Sequence, residues 1–359
     1  MDKLRAVILA GGAGSRFWPA SRRLRPKQLL PLGPDPHEPL LLATVRRLAP
    51  LVRPERVLIS TGAHLIEQTR AVLPELRADQ FLSEPLPRNT APCIGWAAHR
   101  IAREREDAIV IVLPADHVIQ NEEQFLKALS KAIELAEQGP IVTIGVEPTR
   151  AETGFGYIEV GLRLDSTSYK VERFVEKPDL YRAQSFLSSG NFLWNGGMFI
   201  FRADVMKRAI RTHLPQLSEA LDRIDDAAAN GREAEAVAVA DEFPSMQGIS
   251  IDHGVIEKHD ELAVVRSSFG WSDVGSWQSA WELAQTDEDD NALSENTLLV
   301  DSRRNLVRDL RTDGKKRTIA LVGVEDLVVV ETDDALLVMP RERAQELRYL
   351  VEKLPKDFT

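Results

Sequence analysis

The chain begins with an apolar run that passes directly into a glycine-rich loop, and this feature constrains the fold most. Residues 6–10 (AVILA) carry no polar side chain, which is typical of a strand buried on both faces of a sheet. Gly11, Gly12 and Gly14 follow, and without a Cβ their backbone can turn sharply and approach a ligand. The N–H groups of such a loop can point at phosphate oxygens. Segment 4–28 therefore predicts a strand and a phosphate-binding loop.

Strand-like and helix-like segments alternate through the first two-thirds of the 359 residues. Further strands are predicted at 56–60, 81–82, 109–113 and 141–146. Helices are predicted at 63–73 and 91–103, and from Asn121, a suitable N-cap, to Gly139-Pro140. This βα alternation indicates an α/β fold with a doubly wound, mixed but mostly parallel sheet, and ligands at the carboxyl ends of its strands.

The pattern becomes mixed after residue 150. Strands are predicted at 157–160, 169–176 and 197–201, and helices at 180–187, 203–213 and 217–240. The acidic run 287–290 has the composition of a solvated linker. Beyond it, short β segments are predicted at 297–300, 318–322, 327–330 and 336–339, and a final helix at 341–354. We therefore expect one domain over 1–286 and a small β-rich domain with a terminal helix over 291–359.

Composition limits the classes of function. A net charge of −10 argues against a general nucleic-acid binder, although a local cluster of Arg and Lys can still attract an anionic substrate. The single cysteine, Cys93, excludes an internal disulfide and fits a reducing cytoplasm. The N-terminus carries no signal-peptide pattern, and no apolar run approaches the roughly 20 residues of a membrane span. We expect a cytoplasmic protein without a membrane partner.

Two common phosphate loops are excluded by spacing. The Walker pattern requires Lys and then Ser or Thr directly after a glycine, whereas Ser15-Arg16 follows Gly14. The dinucleotide fingerprint requires a glycine where Phe17 stands, which disfavours a nicotinamide dehydrogenase. For the glycines alone, a plain strand–loop turn is an equally good interpretation.

The full string GGAGSRFWP, followed by RPKQLLPL, resembles the signature of sugar-1-phosphate nucleotidyltransferases. Ser15 and Phe17 replace the Thr and Leu that are common there, and the FWP and PKQ details are similar to the guanylyltransferase branch. The resemblance implies a Rossmann-like core and, for the last domain, a short left-handed β-helix. The nucleotide contacts that it implies are Ala10, Gly11, Gly12, Gly14, Ser15, Arg16, Lys27, Arg88, Asn89, Thr90 and Asp116.

Two aspartates stand at predicted loop positions. Asp116 (PADH) follows an apolar strand, and Asp273 (WSDVGSW) lies in a glycine-flanked turn. Mg²⁺ accompanying a nucleoside triphosphate is held by one or two carboxylates, phosphates and water, which suits such a pair. Turn or helix capping is the alternative role for an Asp at these places. Both strings match motifs of the family, in which these aspartates bind the metal.

The resemblance also implies a sugar-phosphate site. Its residues are Gly156, Tyr157, Glu176, Lys177, Asn195, Gly197 and Asp252. Each segment is weak alone, and their order along the chain makes the set specific. Segment 250–258 departs from the family at His253 and Gly254, so a contact made there by an aromatic side chain is in doubt.

The implied reaction is transfer from GTP to mannose-1-phosphate, which gives GDP-mannose and pyrophosphate. The catalytic residues would be Arg16, Lys27, Asp116, Lys177 and Asp273. His117 and Cys93 are interpreted as packing residues. Two alternatives are a different base or hexose, such as uridylyl or thymidylyl transfer to glucose-1-phosphate, and a non-catalytic sugar-nucleotide sensor. A homodimer is expected.

Overall fold

The computed structural model describes residues 3–12, 14–315, 317–355 and 358. Its strands are β1 (Leu4–Leu9), β2 (Val57–Gly62), β3 (Phe81–Glu84), β4 (Ile109–Pro114), β5 (Val118–Ile119), β6 (Ile141–Val146), β7 (Tyr157–Arg163), β8 (Ser168–Val175), β9 (Phe192–Arg202), β10 (Leu262–Ser267), β11 (Trp271–Ser272), β12 (Thr297–Val300), β13 (Leu306–Asp309), β14 (Ile319–Val322), β15 (Leu327–Glu331) and β16 (Leu336–Pro340). Its α-helices are α1 (Leu40–Leu48), α2 (Ile66–Val72), α3 (Thr90–Glu104), α4 (Glu122–Ala136), α5 (Leu180–Ser189), α6 (Ala203–His213), α7 (Pro215–Ala228), α8 (Arg232–Glu242), α9 (Ile251–Gly254), α10 (Trp277–Leu283) and α11 (Leu347–Val351).

A nine-stranded sheet with the order β3-β2-β1-β4-β9-β6-β10-β8-β7 forms the centre of the molecule. β3, β2, β1 and β4 are parallel, as are β6 and β10. β9 runs antiparallel to both β4 and β6, and β8 runs antiparallel to β10 and β7. The predicted mixed, mostly parallel sheet is confirmed.

Both faces of this sheet are buried. Along β1, Ala6 and Ile8 belong to one apolar cluster and Val7 to another on the opposite face. The first cluster includes side chains of α1 and α4, and the second includes side chains of α3, α6 and α7. An apolar strand is stable there because successive side chains meet a helix layer on each side.

Local sequence explains where several helices begin and end. The Asn121 side chain accepts a hydrogen bond from the Gln124 N–H at 3.0 Å, as expected for the N-cap of α4. The single helix predicted at 217–240 is wrong, because Gly231 adopts φ 107° and separates α7 from α8. The last helix is shorter than predicted, since residues 341–346 form a 3₁₀ helix before α11.

The C-terminal strands form two small sheets. β12 pairs with β14, and β13 with β15, both in parallel, while β16 closes the second sheet antiparallel to β15. Of these strands, β13 was not predicted from the sequence. Among the helices in the described part of the chain, each is too short or too polar to cross a membrane.

Candidate active site

A cavity of about 480 Å³ opens at the carboxyl ends of β1 to β4. Leu9, Ser60, Glu84 and Pro114 line it from these four strands. Its volume is in the usual range for a pocket that binds a small molecule. Thirteen predicted site residues line the cavity: Gly11, Gly12, Arg88, Asn89, Thr90, Asp116, Gly156, Glu176, Lys177, Asn195, Gly197, Asp252 and Asp273.

Hydrogen bonds hold the backbone in place where the glycine loop begins. The Ala10 carbonyl accepts hydrogen bonds from Gln28 Nε2 at 2.7 Å and from Thr61 Oγ1 at 3.0 Å. Gly14 has φ 62°, and a Cβ there would lie 2.4 Å from the Lys27 Cβ. Glycine is therefore required both for the left-handed backbone and for the close approach to Lys27.

Lys27 is a buried cation beside the cavity, and its side chain is only 8% exposed. Its ammonium donates to Asp116 Oδ2 at 2.8 Å and to the backbone carbonyl of Asp273. Two predicted metal ligands that are 157 residues apart in sequence (273 − 116) therefore meet on one lysine. Asp273 does not cap α10, because Ser276 is the N-cap residue of that helix.

The two carboxyls have opposite pKa shifts. Burial favours the neutral form of Asp116, but the charge and hydrogen bond of Lys27, together with His117 and a backbone hydrogen bond, outweigh it and hold the pKa below its ordinary value. Burial raises the pKa of Asp273, and the negative charge of Asp116 adds to the rise against the effect of Lys27. Two acidic side chains therefore lie within the field of one buried ammonium.

One end of the cavity is formed by the segment before α3. Asn89 is the N-cap of α3 at φ 65°, and its side chain accepts from the Thr90 N–H at 2.9 Å. The Thr90 hydroxyl accepts from the Ile251 N–H at 2.8 Å. Arg88 lines the cavity, but its guanidinium donates to the carbonyls of Phe243 and Pro244.

Glu84 is a cavity residue whose role the sequence analysis missed. Its side chain is buried at the end of β3 and accepts from Ser60 Oγ at 2.7 Å, and the Cys93 thiol lines the cavity with it. Burial raises the pKa of the Glu84 carboxyl, and the Ser60 hydroxyl opposes the rise. The three side chains come from β2, β3 and α3, so only the fold brings them together.

Another end of the cavity is formed by a connected set of polar side chains. Lys177 Nζ lies 2.8 Å from Glu176 Oε1. Gly156 is essential to the packing, because a Cβ there would lie 2.5 Å from Glu176 Oε2. Asn195 Oδ1 accepts from Thr143 Oγ1 at 3.0 Å and from the Gly197 N–H at 3.1 Å.

Asp252 completes this end. It accepts from Asn195 Nδ2 at 3.0 Å. Burial, and then the negative charge of Glu176, raise the pKa of Asp252 to about 6, while Lys177 and Asn195 act in the other direction. An acid poised in this way changes its hydrogen-bonding capacity close to neutral pH.

The remaining predicted site residues do not line the cavity. They are Ala10, Gly14, Ser15, Arg16, Lys27 and Tyr157. Arg16 is exposed on the 3₁₀ turn at Ser15–Phe17. Tyr157 is fully buried, and its hydroxyl accepts from the Glu152 N–H at 2.9 Å. Ala10 and Lys27 act on the cavity through the backbone and through Asp116.

His117 also lines the cavity and is held as a neutral ring. Burial lowers its pKa to about 4, against the influence of Asp116. Trp271 Nε1 donates to His117 Nδ1 at 3.2 Å, which leaves the proton on Nε2. Nδ1 is thus occupied by a structural contact, in line with the predicted packing role.

The donor chemistry near Lys27 fits a divalent cation. Asp116 and Asp273 bring hard carboxylate oxygens to a place that already attracts a cation. Among the described residues, no group of three or more His, Cys, Asp or Glu side chains could hold a metal by itself. An ion at Asp116 and Asp273 would therefore take further oxygens from a bound phosphate and water, as Mg²⁺ does in nucleotide sites.

The comparisons with known proteins agree with this architecture. The nucleotidyl transferase family model matches residues 5–290, and a model described as MannoseP isomerase/GMP-like beta-helix domain matches residues 295–354. The chain belongs to the nucleotidyl transferase family. The resemblance to sugar-1-phosphate nucleotidyltransferases drawn from the motifs is confirmed.

Particular relatives narrow the class further. A mannose-1-phosphate guanylyltransferase from Klebsiella pneumoniae is 40% identical over 98% of this chain and 74% of its own length. The xanthan biosynthesis protein XanB from Xanthomonas campestris is 39% identical over 99% of this chain and 74% of its own length. A crystal structure described as mannose-1-phosphate geranyltransferase from Thermus thermophilus has a TM-score of 0.86 at 35% identity, covering 98% of this chain and 99% of that one.

Proposed function

We propose that this protein transfers GMP from GTP to mannose-1-phosphate, giving GDP-mannose and pyrophosphate. One observation carries the proposal: a single cavity is lined by the buried carboxyl of Glu84, by Asp116 and Asp273, and by a network of polar side chains that can accept hydrogen bonds from hydroxyl groups. The names of the relatives from Klebsiella and other bacteria supply the substrates.

The base end supports guanine. Glu84 is a buried acceptor beside Ser60. Guanine presents adjacent N–H donors at N1 and N2 that a carboxylate can accept together, and that pairing would offset the cost of keeping Glu84 ionised. Bases without this pair of donors would leave the buried carboxylate unpaired, which is a basis for selectivity.

The sugar end supports a hexose phosphate. Glu176 and Asp252 offer acceptors to sugar hydroxyls. Lys177 is 60% exposed on its side chain and can swing from Glu176 to an incoming phosphate. Its φ of 45° places the residue in a conformation that favours glycine, and such strain is found at functional sites.

The chemical step needs no general base. An oxygen of the sugar phosphate, already ionised at neutral pH, forms a new bond to the α-phosphorus of GTP. The bond from that phosphorus to the bridging oxygen breaks in line, and its electron pair leaves with pyrophosphate. The N–H groups of Gly11 and Gly12 and the exposed Arg16 would hold the triphosphate, and Lys27 would act through Asp116 and the Asp273 carbonyl, so catalysis is positioning and charge stabilisation.

Asp116 and Asp273 would hold a divalent ion, as members of the family generally do. When bound, that ion neutralises charge on the phosphates. We also retain a homodimer, a cytoplasmic location and the division into domains at 1–286 and 291–359 as parts of the proposal.

The test is a substrate panel. Pyrophosphate release is measured for GTP, ATP, UTP and dTTP, each with mannose-1-phosphate and glucose-1-phosphate, in Mg²⁺. We expect the highest kcat/KM for GTP with mannose-1-phosphate. A preference for UTP or dTTP with glucose-1-phosphate would replace the proposed substrates. Binding of GTP and mannose-1-phosphate without pyrophosphate release would favour the sensor.

A further inference from the structure

The C-terminal segment shares its apolar core with the glycine loop. One buried cluster contains Phe17, Trp18, Leu30, Leu32, Val274, Trp277, Leu306, Val328, Val330, Leu337, Ala344 and Leu347. These residues come from segment 17–32, which continues the glycine loop, from Val274 and Trp277 after Asp273, and from β13 to α11. The other two clusters contain no described residue beyond Trp271. The C-terminal segment is therefore packed directly behind the proposed phosphate site.

Trp277 joins the two halves of this cluster. It is fully buried, four positions after Asp273, and its Nε1 donates to the Trp18 carbonyl at 3.1 Å. Its ring meets the Phe17 ring edge-on with centroids 5.1 Å apart. One side chain thus ties the Asp273 turn to the glycine loop, across 259 residues of sequence.

The contacts of Trp277 bear on the position of Lys27. Lys27 Nζ lies 6.0 Å from the centre of the Phe17 ring and donates to the Asp273 carbonyl. Next to Asp273, Val274 is buried with φ 45°, a conformation that a β-branched residue holds only when its surroundings fix it. Packing behind the turn therefore determines where the Asp273 carbonyl meets the ammonium.

The C-terminal segment reaches the loop through polar contacts as well. Arg22 Nη2 donates to Asp334 Oδ1 at 2.9 Å. Trp18 Nε1 donates to the Phe358 carbonyl at 3.0 Å. The side of the loop that faces away from the cavity is therefore held by residues of the β-rich segment.

We propose that Trp277 is a positioning residue, and that the β-rich segment braces the glycine loop against the Asp273 turn so that the site is shaped for a triphosphate or pyrophosphate group. The inference rests on the proposed function. It assigns to the β-rich segment a role in the affinity for the nucleotide tail, although none of its residues lines the described cavity.

The decisive comparison is Trp277→Phe against Trp281→Phe. Both tryptophans lie in α10 and donate Nε1–H to a backbone carbonyl, but Trp281 donates to Asp290, at 2.9 Å, and not to the loop. Loss of the Trp277 bond leaves a carbonyl at the loop unpaired, so we expect the KM for GTP, and for pyrophosphate in the reverse reaction, to rise about tenfold. The KM for mannose-1-phosphate should change less than about twofold, and Trp281→Phe should leave all three values near wild type.

Equal changes in all three KM values, the same selective change in Trp281→Phe, or a lower unfolding midpoint with unchanged KM values would overturn the inference. If Trp277→Phe does not fold, Asp334→Asn tests the same brace, with Asp333→Asn as control because Asp333 accepts from Thr312 within the β-rich segment. We expect a rise of about twofold to threefold in the same two KM values for Asp334→Asn only.

Wild-type turnover reports on the proposed function, whereas the ratio of KM values in the variants reports on this inference. The two can therefore fail separately. If the enzyme takes another nucleotide or sugar, calorimetric titration with pyrophosphate gives the same comparison, since a braced loop should still bind pyrophosphate more tightly than the loop in Trp277→Phe.

Discussion

The two ends of the cavity each contain an acid with a raised pKa, but they are built differently. At the base end, Glu84 is buried and its one polar contact among the described side chains is the Ser60 hydroxyl. At the sugar end, Asp252 lies in a network with Glu176, Lys177 and Asn195. An isolated buried carboxyl can be paired by few arrangements of ligand N–H groups. A hydrogen-bonded network can accept from sugar hydroxyls in several arrangements. We infer that strict selection belongs to the base end and adjustable affinity to the sugar end.

The largest effect is expected from replacing Asp116 and Asp273, which tests whether the two ends of the cavity share one reaction centre. Asp116→Asn and Asp273→Asn keep the shape but remove charge where Lys27 and the proposed ion lie. We expect kcat to fall by about 10³-fold in each variant. Pyrophosphate release measures the effect, with Asp289→Asn in the acidic run as control. Wild-type turnover by the folded double variant would show that these aspartates are not part of the reaction centre.

The second prediction concerns base selection. Glu84→Gln replaces one acceptor with a donor, so kcat/KM for GTP should fall by about 10- to 100-fold, with little change in the KM for mannose-1-phosphate. Discrimination against ATP should fall with it. Glu235→Gln is a matched control, because Glu235 is also 8% exposed but accepts from Trp96 and Arg103 away from the cavity. An unchanged ratio of GTP to ATP turnover would remove Glu84 from base selection.

The third prediction uses the pKa of Asp252, about 6. Above that pH the carboxylate accepts from two hydroxyl donors, and below it one oxygen is protonated. The KM for mannose-1-phosphate should therefore rise by roughly threefold to tenfold as the pH falls from 7 to 5, while the KM for GTP changes less. Asp252→Asn should reduce this pH dependence to the part that protonation of the sugar phosphate itself causes, since phosphate monoesters lose their second proton at about pH 6 as well.

The same shift has a consequence for stability. The folded state binds the Asp252 proton more tightly than the unfolded state does, so this group lowers the free energy of unfolding as pH rises from the ordinary carboxyl range to about 6. Asp252→Asn should abolish that component in urea titrations at pH 5 and pH 7. If the KM of the wild type for mannose-1-phosphate did not change between pH 7 and pH 5, Asp252 would not titrate in contact with the sugar.

The sequence predicted the strands and the sugar end of the cavity better than it predicted the base end. Apolar runs such as residues 109–113 identify strands because a strand buried on both faces tolerates few polar side chains. Motif order grouped Glu176, Lys177 and Asp252 in one predicted site, and all three line the cavity. The burial of Glu84 beside Ser60 and Cys93 was not predictable, because these neighbours come from β2 and α3.

Other features depend on tertiary contacts that no local pattern reveals. The insertion of β9 between β4 and β6 places an antiparallel strand in the middle of the parallel set. The bond from Trp277 to Trp18 connects distant aromatic residues whose sequence indicates packing but not a partner. The helix break at Gly231 was visible as an Asn-Gly pair, and helical periodicity on both sides obscured it.

The smallest predicted effect distinguishes a sugar contact from a supporting residue. Tyr157 stands in a motif of the sugar end but is fully buried, with its hydroxyl accepting from the Glu152 N–H. Tyr157→Phe should lower the free energy of unfolding by about 1 kcal/mol, because the backbone donor loses its partner, and should change the KM for mannose-1-phosphate less than about twofold. Glu176→Gln, at the cavity wall, should raise that KM with little change in stability. A KM increase of about tenfold in Tyr157→Phe with unchanged stability would instead place its hydroxyl among the sugar ligands, and would mean that the sugar end rearranges when substrate binds.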